Sequence, residues 1–191
     1  MKTTAQKLVE AAATLLDSGG EEAVTLRAVG HAVGVSHNTP YRHFVDRADL
    51  LAAVAEQDFK TLLNAIQTIE CSNKTPINKV GAALETFIEY GEAHPTRYRM
   101  LFTHHTDTTP HGEKVQAVAM EIFLTVGKFV KLTQDAGQFP DIPTPTLTSL
   151  IYATVHGLLD FKACGRMSEE KGLSSVKDGS KLLLDMIRSV N

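Results

Sequence analysis

TLRAVGHAVGVSHNTPYRHFVDRADLL, residues Thr25 to Leu51, is the stretch that decides how this chain folds. Thr25 stands just before an apolar-periodic run, where a side-chain oxygen can cap a helix, and Leu26, Val29 and Val33 then fall on one side. Gly34 breaks that helix, and Ser36 can cap a second one reaching about His43. Two short helices around a glycine turn form a helix-turn-helix, whose second helix enters the major groove. The crossing needs small apolar residues, supplied by Val29, Ala32, Val33 and Val35, while Gly34 permits the sharp reversal. At roughly 100° per residue, His37, Asn38, Tyr41 and Arg42 share one arc that is polar and rich in donors. Phe44 and Leu50 are expected to anchor its far end in the core. Pro40 is tolerated because it falls in the first turn.

The charge around this stretch fits the same reading. The whole chain carries a net charge of −3, yet between Thr25 and Arg47 the arginines Arg27, Arg42 and Arg47 face only Asp46. His31, His37 and His43 lie in the same window, and His31 reads as a solvent-facing or helix-packing residue. Acidic residues collect on either side: Glu10, Asp17, Glu21 and Glu22 before it, Asp49, Glu56 and Asp58 after it. A small positive face on an acidic protein suits a short DNA contact surface.

Working outward, the periodicity is helical nearly throughout, with no convincing strand. Leu8, Ala12, Leu15 and Leu16 form an apolar stripe that Gly19-Gly20 should end. Asp46 caps a longer helix in which Leu50, Leu51, Val54, Leu62, Ile66 and Ile69 keep helical spacing. Thr75-Pro76 opens the next helix, which lasts until His94-Pro95, and a shorter one follows through Phe102. Residues 104–112 read as a loop, then helices are expected over Glu113 to about Ala136, Pro145 to Ala163 and Ser175 to Val190. With 191 residues, 43% hydrophobic and 21% charged, the composition is that of a soluble globular protein. No apolar run reaches membrane-spanning length, and Glu10 interrupts the only apolar stretch near the start, so a cytoplasmic protein is expected. Cys71 and Cys164 follow no metal or redox spacing and read as ordinary thiols.

The motifs from Ala5 to Phe59 resemble the DNA-binding domain of the TetR family of transcriptional regulators. They are the glycine pair, Thr25-Leu26-Arg27, Gly34-Val35-Ser36, Pro40-Tyr41-Arg42-His43-Phe44 and Asp46-Arg47-Ala48-Asp49-Leu50-Leu51. The resemblance implies that Thr25, Tyr41, His43 and Arg47 contact phosphates, and that Arg27, His37, Asn38, Thr39 and Arg42 lie near base edges, with Ser36 beside them. Many members have lysine where Arg47 stands. Further on, Tyr90 to Phe102 and Val155-His156-Gly157-Leu158 are similar to the regulatory domain of the Trp-His-Gly subgroup, with Val155 in place of the tryptophan. The family implies an all-α protein. A three-helix helix-turn-helix DNA-binding domain (residues 1–45) would precede a helical effector-binding and dimerisation domain (46–191), with the Asp46 helix shared between them. It also implies a homodimer through the last two helices, and a repressor released from operator DNA by a small-molecule effector.

His156 lies on an apolar helix between Tyr152 and Asp160, so it is either a hydrogen-bonded core histidine or a polar handle inside an effector pocket. Phe87, Tyr90, Met100, Phe123 and Tyr152 would line that pocket or be plain core. His94, His104, His105 and His111, with Asp107, lack the i, i+4 pairing of a helical zinc site and read as loop histidines. No nucleophile elbow or phosphate-cradling loop appears, so neither an enzyme, a cofactor nor a metal is expected. A helical interaction protein and an all-α metalloenzyme are the alternatives.

Overall fold

Thr3 opens the chain's first helix with a reciprocal cap. Its hydroxyl accepts the Gln6 N–H at 3.2 Å, and the Gln6 side chain accepts the Thr3 N–H at 2.8 Å. The structure is a computed structural model that describes residues 2–103 and 109–190. Eight α-helices and two short 3-10 turns make up its regular structure, with no strand among the described residues. The helices are α1 (Thr4–Ala23), α2 (Leu26–Val33), α3 (Arg47–Glu70), α4 (Pro76–Ala93), α5 (Pro95–Thr103), α6 (Gly112–Asp135), α7 (Thr144–Ala163) and α8 (Val176–Ser189). The 3-10 turns are Pro40–Arg42 and Glu169–Lys171.

The caps are where local chemistry places them. Thr25 Oγ1 accepts the Ala28 N–H at 3.0 Å, Asp46 Oδ1 accepts the Asp49 N–H at 2.8 Å, and Ser175 Oγ accepts the Asp178 N–H at 3.0 Å. Gly34 ends α2 in the left-handed region at φ +74, with Val35 N–H on the Gly30 carbonyl and Gly34 N–H on the His31 carbonyl.

Two expectations are corrected. The glycine pair does not end the first helix: Gly20, at φ +71, kinks it, and a last turn continues to Ala23. The second helix of the helix-turn-helix is not a regular α-helix from Ser36 to His43. Residues 36–39 form a turn and Pro40–Arg42 a single 3-10 turn. An α-helix capped by Ser36 would need an N–H at Pro40 to reach the Ser36 carbonyl, and proline has none. That carbonyl takes the Thr39 N–H at 2.9 Å instead, and the Ser36 hydroxyl pairs with that of Thr39 at 2.7 Å.

The chain packs as two units, Met1–Thr61 with His94–Ala119 and Leu62–Ala93 with Met120–Asn191. In the first, α1 packs on α2 and α5 around Leu8, Ala12, Leu16, Val29, Phe44 and Leu50. An ion-pair network ties its helices: Arg97 on α5 reaches Asp17 on α1 at 3.1 Å and Asp58 on α3 at 2.9 Å, with His94 on Asp17 at 3.1 Å. In the second, α4 packs on α7 and α8, with Phe87, Phe129, Ile151 and Val155 in the core. No helix is long and apolar enough to cross a membrane, among the described residues.

Candidate nucleic-acid interface

The surface formed by α2 and the Pro40–Arg42 turn is built on a close approach that the sequence reading did not include. A Cβ placed on Gly30 would stand 2.9 Å from Pro40 Cγ, so the buried ring of Pro40 lies directly on the α2 backbone. Of the four residues expected at the crossing, Val29 is buried, Val33 and Val35 are half-buried and Ala32 is exposed. The available signal was a glycine inside a short helix, where it costs helix stability unless a neighbour needs the space. Gly30→Ala is expected to destabilise the protein by about 1–3 kcal/mol, because a proline ring has little freedom to yield. Urea unfolding of the variant against the wild type measures this.

Phe44 is buried at the far end, as is Leu50, both as anticipated. Between buried Pro40 and buried Phe44, Tyr41, Arg42 and His43 are exposed. So are Ser36, His37 and Asn38, while Thr39 is half-buried. The rings of His37 and Tyr41 meet edge-on at 5.7 Å. On α2, Arg27 is exposed, and a groove of about 440 Å³ is lined by Arg27, His31, Val35 and His37. His31 faces solvent, and it shares that groove with two of the residues proposed for base readout. Arg27 and Arg42 make no ion pair among the described residues, which leaves two guanidinium groups for a partner.

Two candidates are engaged within the fold. Thr25 spends a lone pair on its cap, although it remains exposed. Arg47 donates from Nε to the Val24 carbonyl at 2.8 Å and from Nη2 to the Glu21 carbonyl, and lies 3.9 Å from the Glu21 carboxylate. It closes the end of α1 and is only half exposed. Exposed cationic and aromatic side chains on a platform held by Pro40 and Phe44 can do one kind of chemistry well: donate to an extended anion.

Residues 8–54 match the family model of bacterial regulatory proteins, tetR family. The N-terminal segment is similar to a TetR-family domain. This TetR-type segment contains every candidate DNA contact, from Thr25 to Arg47. The nucleoid occlusion factor SlmA of Vibrio cholerae is 26% identical over 100 residues, covering 52% of this chain and 51% of that protein. The chain spans about half the length of the curated relatives it matches. Beyond the TetR-type domain the likeness is one of fold. A Rhodococcus sp. RHA1 protein of unknown function superposes with TM-score 0.80 at 22% identity, over 99% of this chain and 95% of that one. SmeT, the repressor of the Stenotrophomonas maltophilia multidrug efflux pump SmeDEF, superposes with TM-score 0.69 at 22% identity, over 99% and 90%.

In the second unit, four of the six effector-pocket candidates form one aromatic cluster. The Tyr152 ring lies 5.3 Å from Phe87, 5.8 Å from Phe123 and 5.7 Å from His156, which is also 6.3 Å from Phe87. Tyr90 lies on α4 in the same unit, whereas Met100 is buried in the other unit. Burial pushes the Tyr152 hydroxyl pKa up and brings the His156 imidazole down to about 4, so both are neutral at physiological pH. The Tyr152 hydroxyl is buried with no hydrogen-bond partner among the described residues. His94 and His111 are each paired with a carboxylate, Asp17 and Asp49, and His104, His105 and Asp107 lie outside the described residues.

Proposed function

We propose that this chain is a sequence-specific DNA-binding transcriptional regulator and not an enzyme. The observation that carries the proposal is the exposed set Arg27, His37, Asn38, Tyr41, Arg42 and His43 within the TetR-type domain, with both arginines uncommitted. Tyr41 and His43 would contact phosphates, and Arg27, His37, Asn38, Thr39 and Arg42 would approach base edges, with Ser36 beside them. Arg47 and Thr25 would contribute to phosphate binding from the ends of α3 and α2. The functional division we propose falls between residues 1–45, which read DNA, and 46–191, which regulate; the chain would act in the cytoplasm. The test is capture of genomic fragments by the purified protein across a salt series, followed by sequencing. Enrichment of one imperfect palindrome, with affinity falling steeply as salt rises, is the expected result; retention of nothing at low salt would sink the proposal.

The dimer would form through α7 and α8, where Leu150, Leu182 and Met186 are each more than half exposed. The regulatory half would be of the Trp-His-Gly kind, with His156 and Gly157 in place and buried Val155 in the tryptophan position. Repression released by an uncharged effector is the mode favoured by the Phe87, Phe123, Tyr152 and His156 cluster, whose polar groups are a hydroxyl lacking a partner and a neutral imidazole. Tyr90, on α4 of the same unit, would complete the pocket. A ligand acts only through unequal affinity for the two states, so titrating the captured operator complex with neutral, anionic and cationic aromatic compounds should dissociate it with the neutral class.

A further inference from the structure

We propose that His111, ahead of α6, is a positioning residue of the DNA-reading turn, acting through Asp49; its functional consequence rests on the DNA-binding reading above. Asp49 lies in the first turn of α3 and is 1% exposed. One of its oxygens, Oδ2, accepts the Val45 N–H at 3.2 Å. The other, Oδ1, accepts from His111 twice, from Nδ1 at 2.8 Å and from the backbone N–H at 3.2 Å. The His111 ring also lies 5.7 Å from that of Phe44, tilted by 43°. A single buried carboxylate therefore joins the segment that follows Arg42 to the residue whose carbonyl begins α6, where it takes the Val115 N–H at 3.0 Å.

Val45 shows why this bond matters for the turn. Its side chain is 74% exposed, so it adds no burial, and the chain there is held by its amide and by Phe44. His111 backs the amide hold through Asp49. The carboxylate stays ionised in this site: burial alone would raise its pKa, but the bonds from His111 and from the Val45 N–H outweigh that and lower it. An ionised, buried Asp49 has a strong demand for donors, and the His111 imidazole supplies the shortest bond it accepts. The contact lies 62 residues apart in sequence and inside one packing unit.

Two full-length variants separate the hydrogen bond from the ring. His111→Phe keeps an aromatic ring against Phe44 and removes the Nδ1 donor; His111→Asn removes the ring and keeps an amide donor near the same place. Amide hydrogen exchange at Val45 in DNA-free protein, and affinity for the enriched palindrome, are the readouts. In His111→Phe, Val45 exchange should rise about tenfold and affinity fall about tenfold, while the salt dependence of binding keeps its slope because no phosphate contact is lost. In His111→Asn both should return to wild-type values. Wild-type exchange at Val45 in His111→Phe overturns the proposal, as does a loss that His111→Asn shares. Should the wild-type protein retain no DNA, the exchange measurement still decides the positioning claim, and the DNA-binding reading fails by itself.

Discussion

Arg97→Ala is expected to lower unfolding stability by about 3–5 kcal/mol, a large share of what a domain of this size possesses. The reason lies in which carboxylate it abandons. The Arg97 side chain is 11% exposed and that of Asp58 6%, whereas Asp17 and His94 are each about one-third exposed. Solvent can take over the Asp17 end, so its loss costs little. At the Asp58 end the side chain is nearly inaccessible to solvent, so hydration does little to offset the loss of the guanidinium. Replacing both partners by apolar residues of similar size, in an Asp58→Leu, Arg97→Met double variant, should recover most of the stability, since the desolvation penalty disappears with the charges. Equilibrium urea unfolding of the three proteins measures both effects. A single variant within about 1 kcal/mol of wild type would mean that the network behaves as a surface pair.

Arg42→Ala should reduce operator affinity by about 10–100-fold while leaving the unfolding midpoint unchanged. Arg42 is exposed, makes no ion pair among the described residues and lies in the Pro40–Arg42 turn, so the fold does not depend on its guanidinium. Tyr41→Phe, which deletes a hydroxyl from a residue 52% exposed, should cost about tenfold by the loss of one phosphate hydrogen bond. Fluorescence anisotropy with the enriched palindrome and a scrambled duplex, over a range of salt, separates the roles. An Arg42 that reads a base loses discrimination at one position, and one that binds phosphate loses affinity on both duplexes with a shallower salt slope. Unchanged binding in an Arg42→Ala, Tyr41→Phe double variant would leave only non-specific attraction. The Gly30→Ala prediction couples to these, because Gly30 is where the turn bearing both residues rests on α2.

Much of the architecture is local and was legible in the residues alone. Thr25, Asp46 and Ser175 cap helices because each hydroxyl or carboxylate reaches an amide three residues ahead, a contact that needs no other part of the chain. Gly34 reverses the chain because its own φ is positive. The exposure of Tyr41, Arg42 and His43 is likewise a consequence of short-range pattern, since these polar residues lie between a buried Pro40 and a buried Phe44.

Tertiary structure decided what happens at a distance. A helical period predicts an α-helix over 36–43, but the missing amide of Pro40 and the contact of its ring with Gly30 make a turn and a 3-10 segment instead. The guanidinium of Arg47 is held at the end of α1 by carbonyls 23 and 26 residues away, a contact that its neighbours along the chain do not reveal. His111 looked like a loop histidine, and Asp49 takes it up across 62 residues. In each case the deciding partner is an acceptor or a surface brought near only by packing. Propensity and spacing report a residue's neighbours along the chain, and these side chains answer to neighbours in space.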